Sequence, residues 1–135
     1  MTTARSLADG FATTLSDHDL EAFASLIHED YVNHNRYAEP GKAGVIATFA
    51  HFLDAFEDFR VEVDDVIVAG DTLVGRYTYR GRHTATFMGV PASGNEIEMH
   101  SIDIWRVNDG RLAEHWDELN TLELFQQIGA IPELP

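Results

Sequence analysis

The stretch IDIWRVNDGRLAEHWDELN, residues 102 to 120, decides how this chain folds. Apolar and polar residues alternate on both sides of NDG, the pattern of two strands joined by a tight turn. On the second strand His115, Asp117 and Leu119 share one face, and Glu114, Trp116 and Glu118 share the other. Two turns fit. A three-residue NDG loop with Gly110 left-handed pairs Val107 with Arg111, setting Asp103 opposite His115 and Ser101 opposite Asp117. A two-residue Asp109-Gly110 turn sets Asp103 opposite Trp116 instead, because one residue of slip exchanges the faces. The first is preferred. It surrounds Ser101, Asp103, His115 and Asp117 with Met99, Trp105, Ala113 and Leu119, an apolar floor with a polar centre.

Further strands precede the hairpin. FRVEVDDVIVAG, with a bulge expected at Asp64-Asp65, and TLVGRYTYRGRHTATF read as long strands, and MGVPASGNE as a loop. Before them the period is helical. Leu7, Phe11 and Leu15 space a first helix; SDHDLEAFASLI, capped by Ser16 or Asp17, a second; Val45, Phe49, Phe52, Leu53 and Phe56 a third. YVNHN, 31 to 35, reads as a short strand. TLELFQQIGAIPELP reads as a short helix stopped by Gly129 and Pro132. Helices followed by a meander of long strands give an α+β fold, with N-terminal helices covering a curved antiparallel sheet in a single domain over 1–135. Such a cone encloses a pocket suited to apolar ligands.

Composition narrows the function. The 135 residues carry 23 acids against 9 bases, a formal net charge of -14. That argues against nucleic acid or an anionic membrane as partner, since both are bound through basic patches. The absence of cysteine excludes disulfides, thiolate catalysis and cysteine-ligated zinc. The N-terminus lacks the apolar run of a signal peptide, and no stretch approaches the ~20 apolar residues of a membrane span. A cytoplasmic location is expected. HWDE and YVNHN offer histidine and carboxylate without HExxH or paired-histidine spacing, so neither a metal nor another cofactor is expected.

The polar four suggest acid/base chemistry. A carboxylate in an apolar pocket has a raised pKa and can move protons near neutral pH. Asp117, His115 and Asp103 are the candidate catalytic residues. Trp105, Met99, Leu119 and Ser101 surround them as candidate substrate contacts. His34 and Asn35 alternate, so one of them faces inward, and both are candidates. His83 and His100 are expected on the outer face or an interface, His51 on a helix surface, and Trp116 beneath the C-terminal helix or a partner copy.

IDIWRVNDGRLAEHWD followed by LFQQIGAIP resembles the SnoaL-like polyketide cyclases of the NTF2-like superfamily. YVNHN and RGRHTATFMGVPASGNEIEMHSIDI share the resemblance, which spans about residues 5 to 132. It implies a conical barrel, usually dimeric. It also implies closure of the last ring of an anthracycline precursor by intramolecular aldol condensation, without metal or Schiff base, in antibiotic biosynthesis. The family's acid/base aspartate on the last strand matches Asp117. Ketosteroid isomerase, of the same superfamily, uses a protonated aspartate as donor at the position matching Asp103. Its catalytic base lies near YVNHN, which holds no carboxylate, and its helix-1 tyrosine falls near Phe11, a further candidate substrate contact. Steroid isomerisation by the same machinery is not expected. The superfamily also contains hydroxylases, epoxide hydrolases and non-catalytic binders, so three readings stand. One is a polyketide (ester) cyclase acting on a bulky, apolar or polycyclic small molecule. The others are a cofactor-free hydroxylase or epoxide-opening enzyme, and a non-catalytic small-molecule binder.

Overall fold

The computed structural model describes residues 3–135. Its elements run α1 (Ala4–Ser16), α2 (Leu20–Ser25), β1 (Ile27–Asn33), α3 (Gly41–Ala55), β2 (Phe56–Ala69), β3 (Thr72–His83), β4 (Glu96–Asn108), β5 (Arg111–Leu119) and α4 (Thr121–Gln127). The architecture is α+β: helices on a curved, unclosed sheet of order β1-β5-β4-β3-β2. Four strands form the expected antiparallel meander. β1 departs from it, lying at one edge parallel to β5.

Local chemistry sets the element ends. Thr3 and Ser6 form a reciprocal capping box at the start of α1. The second helix is capped by Asp19, not by Ser16 or Asp17; its carboxylate accepts from the Ala22 N–H at 3.0 Å. His18, at φ 56°, turns the chain between the helices and moves that start downstream. β1 begins at Ile27 and ends at Asn33, so His34 and Asn35 lie in the turn after it. The expected bulge in β2 falls between Val63 and Asp65.

The decisive hairpin closes through the tighter of the two turns. Asp109 (φ 52°) and Gly110 (φ 68°) are both left-handed, as a two-residue type I′ turn requires, and Asn108 pairs with Arg111. A bulge then intervenes between Arg106 and Val107, with Ala113 the extra residue of β5. Beyond it Trp105 pairs with His115, Asp103 with Asp117 and Ser101 with Leu119. The preferred pairing of Asp103 with His115 is thus wrong by two residues. The faces are as that pairing had them, because a slip of two preserves them.

β4 shows the alternation plainly. Ile97, Met99, Ser101, Asp103 and Trp105 are buried, and Glu98, His100, Ile102 and Ile104 face outward. On the inner side Leu7, Phe11 and Leu15 of α1 and Phe23 of α2 join Tyr77, Trp105 and Leu112 in one core. Each large apolar side chain buried this way contributes about 1.5–3 kcal/mol. Tyr77 ties the layers together, its hydroxyl donating to the Ala8 carbonyl at 2.9 Å. Among the described residues, no helix is long and apolar enough to cross a membrane.

Candidate active site

Between the helices and the inner face of the sheet lies a cavity of about 620 Å³. Its walls are mostly aromatic: Phe11, Phe23, Phe49 and Phe52 from the helices, Trp105 from β4, Phe87 from the loop after β3. Met99 and Leu119 complete the sheet side. The polar end is built where β1, β4 and β5 meet.

That end is a chain of hydrogen bonds. The Ser101 hydroxyl donates to Asp103 Oδ2 at 2.6 Å and lies 2.8 Å from the Tyr79 hydroxyl. Asp103 Oδ1 lies 2.7 Å from His115 Nε2, and His115 Nδ1 lies 2.9 Å from Asn33 Oδ1. Trp105 and Tyr31 both stack on the imidazole, with centroids at 5.2 and 6.2 Å. Asp103 and His115 are 2% and 6% exposed, so this pair is closed off from bulk water.

Asp117 is different. It stands half-buried on the cavity side, and both its oxygens accept from the Asn35 side-chain amide, at 3.0 and 3.1 Å. Burial raises its pKa, opposed by the nearby His115 and by the Asn35 hydrogen bond. Burial also pushes the hydroxyls of Tyr31 and Tyr79 well above the usual phenolic range, so both remain neutral donors.

The structure sorts the expected residues. Asp117, His115, Asp103, Asn35, Trp105, Met99, Leu119 and Phe11 all line the cavity. Ser101 does not; it is 2% exposed behind Asp103, with its hydroxyl consumed by Asp103 and Tyr79. It orients Asp103 and does not meet a substrate. His34 borders the mouth, but its ring stacks on Trp116 at 4.7 Å and its Nε2 meets Glu114 Oε2 at 2.8 Å. Of the alternating pair, Asn35 is the inward one. Trp116 packs between His34 and Arg106 on the outer face, not under the C-terminal helix. His83 is wholly buried, not on the outer face: its Nδ1 accepts from the Ser93 N–H at 3.1 Å and its ring packs on Phe56. His100 faces outward beside Glu98, as expected. His51 is exposed on α3 and borders the cavity.

Asn33, Tyr31 and Tyr79 were not among the sequence candidates. The signal for two of them lay in YVNHN, where Tyr31, Asn33 and Asn35 recur at every second position. Asp103, His115 and Asp117 can each offer a ligand atom within 4.8 Å of the others. In this arrangement both ring nitrogens of His115 are already engaged, one by Asp103 and the other by Asn33.

The comparisons with known proteins agree with this fold. A family model described as SnoaL-like polyketide cyclase matches residues 5–128. Aklanonic acid methyl ester cyclase DnrD of Streptomyces peucetius is 27% identical over 112 residues, covering 78% of this chain and 77% of its own. TsrD from Streptomyces laurentii superposes with a TM-score of 0.86 at 33% identity, over 94% of this chain and 95% of its own. AclR from Streptomyces galilaeus, a proposed hydroxylase, gives 0.88 at 26% identity, over 98% and 84%. IdmH from Streptomyces antibioticus, a proposed polyketide cyclase, gives 0.79 at 29% identity, over 94% and 99%.

Proposed function

Since the chain belongs to the SnoaL-like polyketide cyclase family, we propose that it closes a ring on a bulky, apolar, polyketide-like substrate by cofactor-independent acid/base chemistry. The observation that carries this reading is Asp117. It is the carboxylate left half-open at the polar end of an aromatic-walled cavity, with its pKa raised by burial. A carboxylate so placed takes a proton from carbon more readily than one in water.

The reaction is an intramolecular aldol condensation. Asp117 takes the proton α to one carbonyl, leaving an enolate. The enolate carbon forms the new C–C bond to a second carbonyl of the same molecule, whose π electrons move onto its oxygen. The resulting alkoxide takes the proton back from Asp117. Tyr31 is a neutral donor at the same end of the cavity, available to the enolate oxygen, while the Asn35 amide holds Asp117. Such fixed donors supply a large share of the rate in reactions of this kind. The Asp103–His115 pair acts from behind. It is sealed from solvent, and its proximity to Asp117 biases that residue's charge. Assembly of an antibiotic polyketide inside the cell belongs to the same proposal. So does a homodimer that covers Ile102, Ile104 and Trp116 on the outer face, to be tested by sedimentation.

The test is deuterium exchange and ring closure with a β-keto ester of a tricyclic aromatic polyketide. The parent protein should catalyse both, and Asp117→Asn should lose about 10²–10⁴ of the rate. Undiminished closure by the variant would reject the mechanism. The similarity to AclR supports a second reading, cofactor-free hydroxylation, with Asp103 facing Asp117 across the ladder. Oxygen uptake, with ¹⁸O from labelled O₂ in the product, would favour it; ¹⁸O from solvent would favour epoxide opening by water instead. Ligand binding with no turnover of any kind would leave only a binding protein.

A further inference from the structure

We propose that Asn33 and Asn35 are positioning residues that assign opposite proton roles to His115 and Asp117. An asparagine side chain presents a carbonyl oxygen or an amino group in nearly the same shape, and its surroundings decide which. Here the backbone decides. Asn33 Oδ1 accepts from the Asn35 N–H at 3.0 Å, and Asn35 Oδ1 accepts from the Tyr37 N–H at 2.8 Å. These are two successive turns in which a side chain caps the amide two residues on. Flipping either one would set NH₂ against N–H.

The two pinned amides then show opposite ends to the site. Asn33 presents its oxygen to His115 Nδ1 at 2.9 Å, so that nitrogen must carry a proton. Asn35 presents its amino group to both oxygens of Asp117, so that carboxylate is held as an acceptor. The other imidazole nitrogen faces Asp103 Oδ1, whose partner oxygen accepts from Ser101. Asp103 and His115 therefore share one further proton between them and are neutral as a unit. The remaining neighbours of the ring are Trp105 and Tyr31, stacked on it, with Asp117 nearby on its own strand. With Nδ1 occupied, His115 has no free lone pair to compete with Asp117 for a substrate proton.

The assignment of His115 as a donor stands on this geometry alone. That Asp117 is the base rests on the function proposed above. The experiment separates them. Ring-nitrogen NMR of ¹⁵N-histidine-labelled protein at neutral pH should show His115 Nδ1 protonated in the parent chain. Asn33→Asp keeps an acceptor in the same place and should retain that signal. Asn33→Leu removes it, and the ring should revert to the tautomer protonated only at Nε2, towards Asp103. An unprotonated Nδ1 in the parent overturns the proposal, whether or not the variants fold. So does a protonated Nδ1 that persists in folded Asn33→Leu. For Asn35 the readout is the pH profile of kcat/KM. Asn35→Leu removes a donor that favours the ionised carboxylate, so the limb on which the base ionises should move to higher pH. An unmoved limb contradicts the role given to Asn35. If the NMR result holds while Asp117→Asn keeps full turnover, the function fails and the role of Asn33 survives.

Discussion

Asp103 and Asp117 face each other across the β4–β5 ladder, yet they occupy different chemical surroundings. Asp103 is sealed, with one oxygen on Ser101 and the other on His115. Asp117 looks into the cavity and is held by the Asn35 amide. Two carboxylates a strand apart thus differ in setting, one closed off from water and the other half-open to the cavity.

Asp103→Leu should be costly to the fold. It leaves His115 buried without its carboxylate and removes one of the two partners of the Ser101 hydroxyl, leaving Tyr79. Breaking a buried pair of this kind costs about 3–5 kcal/mol, and urea denaturation will measure it. A loss below about 1 kcal/mol would mean that the pair relaxes into solvent, contrary to its 3% and 8% side-chain exposure.

Asp117→Asn should behave in the opposite way. Burial raises the pKa of Asp117 in the folded chain, so the folded state holds this proton more tightly than the unfolded state does. The stabilisation from that proton is complete below the unfolded carboxylate value, about 3.9, and is lost as pH rises through the folded value. At neutral pH the ionised carboxylate therefore opposes folding. The variant should be at least as stable as the parent at neutral pH, with its advantage shrinking on acidification. Denaturation midpoints across the pH range test this; an advantage that grows towards acid has the wrong sign.

At the hairpin turn, Gly110 stands at φ 68°. A branched side chain is strained there, and Gly110→Val should cost about 1–2 kcal/mol in thermal or chemical unfolding. Retained activity below the shifted melting point would show that the damage is to the turn and not to the site.

His34→Ala tests the outward placement of that ring. The His34–Glu114 contact is exposed, with side chains 42% and 37% accessible, and such pairs contribute about 0.2–1 kcal/mol. Calorimetry with an aromatic ligand should find affinity unchanged within twofold and stability slightly reduced. A large loss of affinity would return His34 to the binding site.

The helices, the long strands and the face shared by Asp103, His115 and Asp117 were legible in the sequence because period and parity are properties of short segments. Ala113 was not, since nothing in RLAEHWD, residues 111 to 117, marks which residue of the strand will bulge. The tight turn and the bulge together make a slip of two, which left the face intact and the partners wrong. The outward turn of His34 was hidden for a different reason. It depends on β1 joining β5 in parallel, a pairing between distant segments. The same holds for Tyr79, which reaches Ser101 from a neighbouring strand.

That distant pairing has a consequence for the order of folding. β2 to β5 are joined to their neighbours in sequence, so their ladders close short loops. Asn33 meets His115 across 82 residues, a closure with a much larger entropy to overcome. The hairpins can form while the edge strand is still searching. The hydrogen bonds between Asn33 and His115 are then among the last to be made, and a chain lacking its final strand, whether nascent or truncated, holds α1 to α3 and Asp103 but neither His115 nor Asp117.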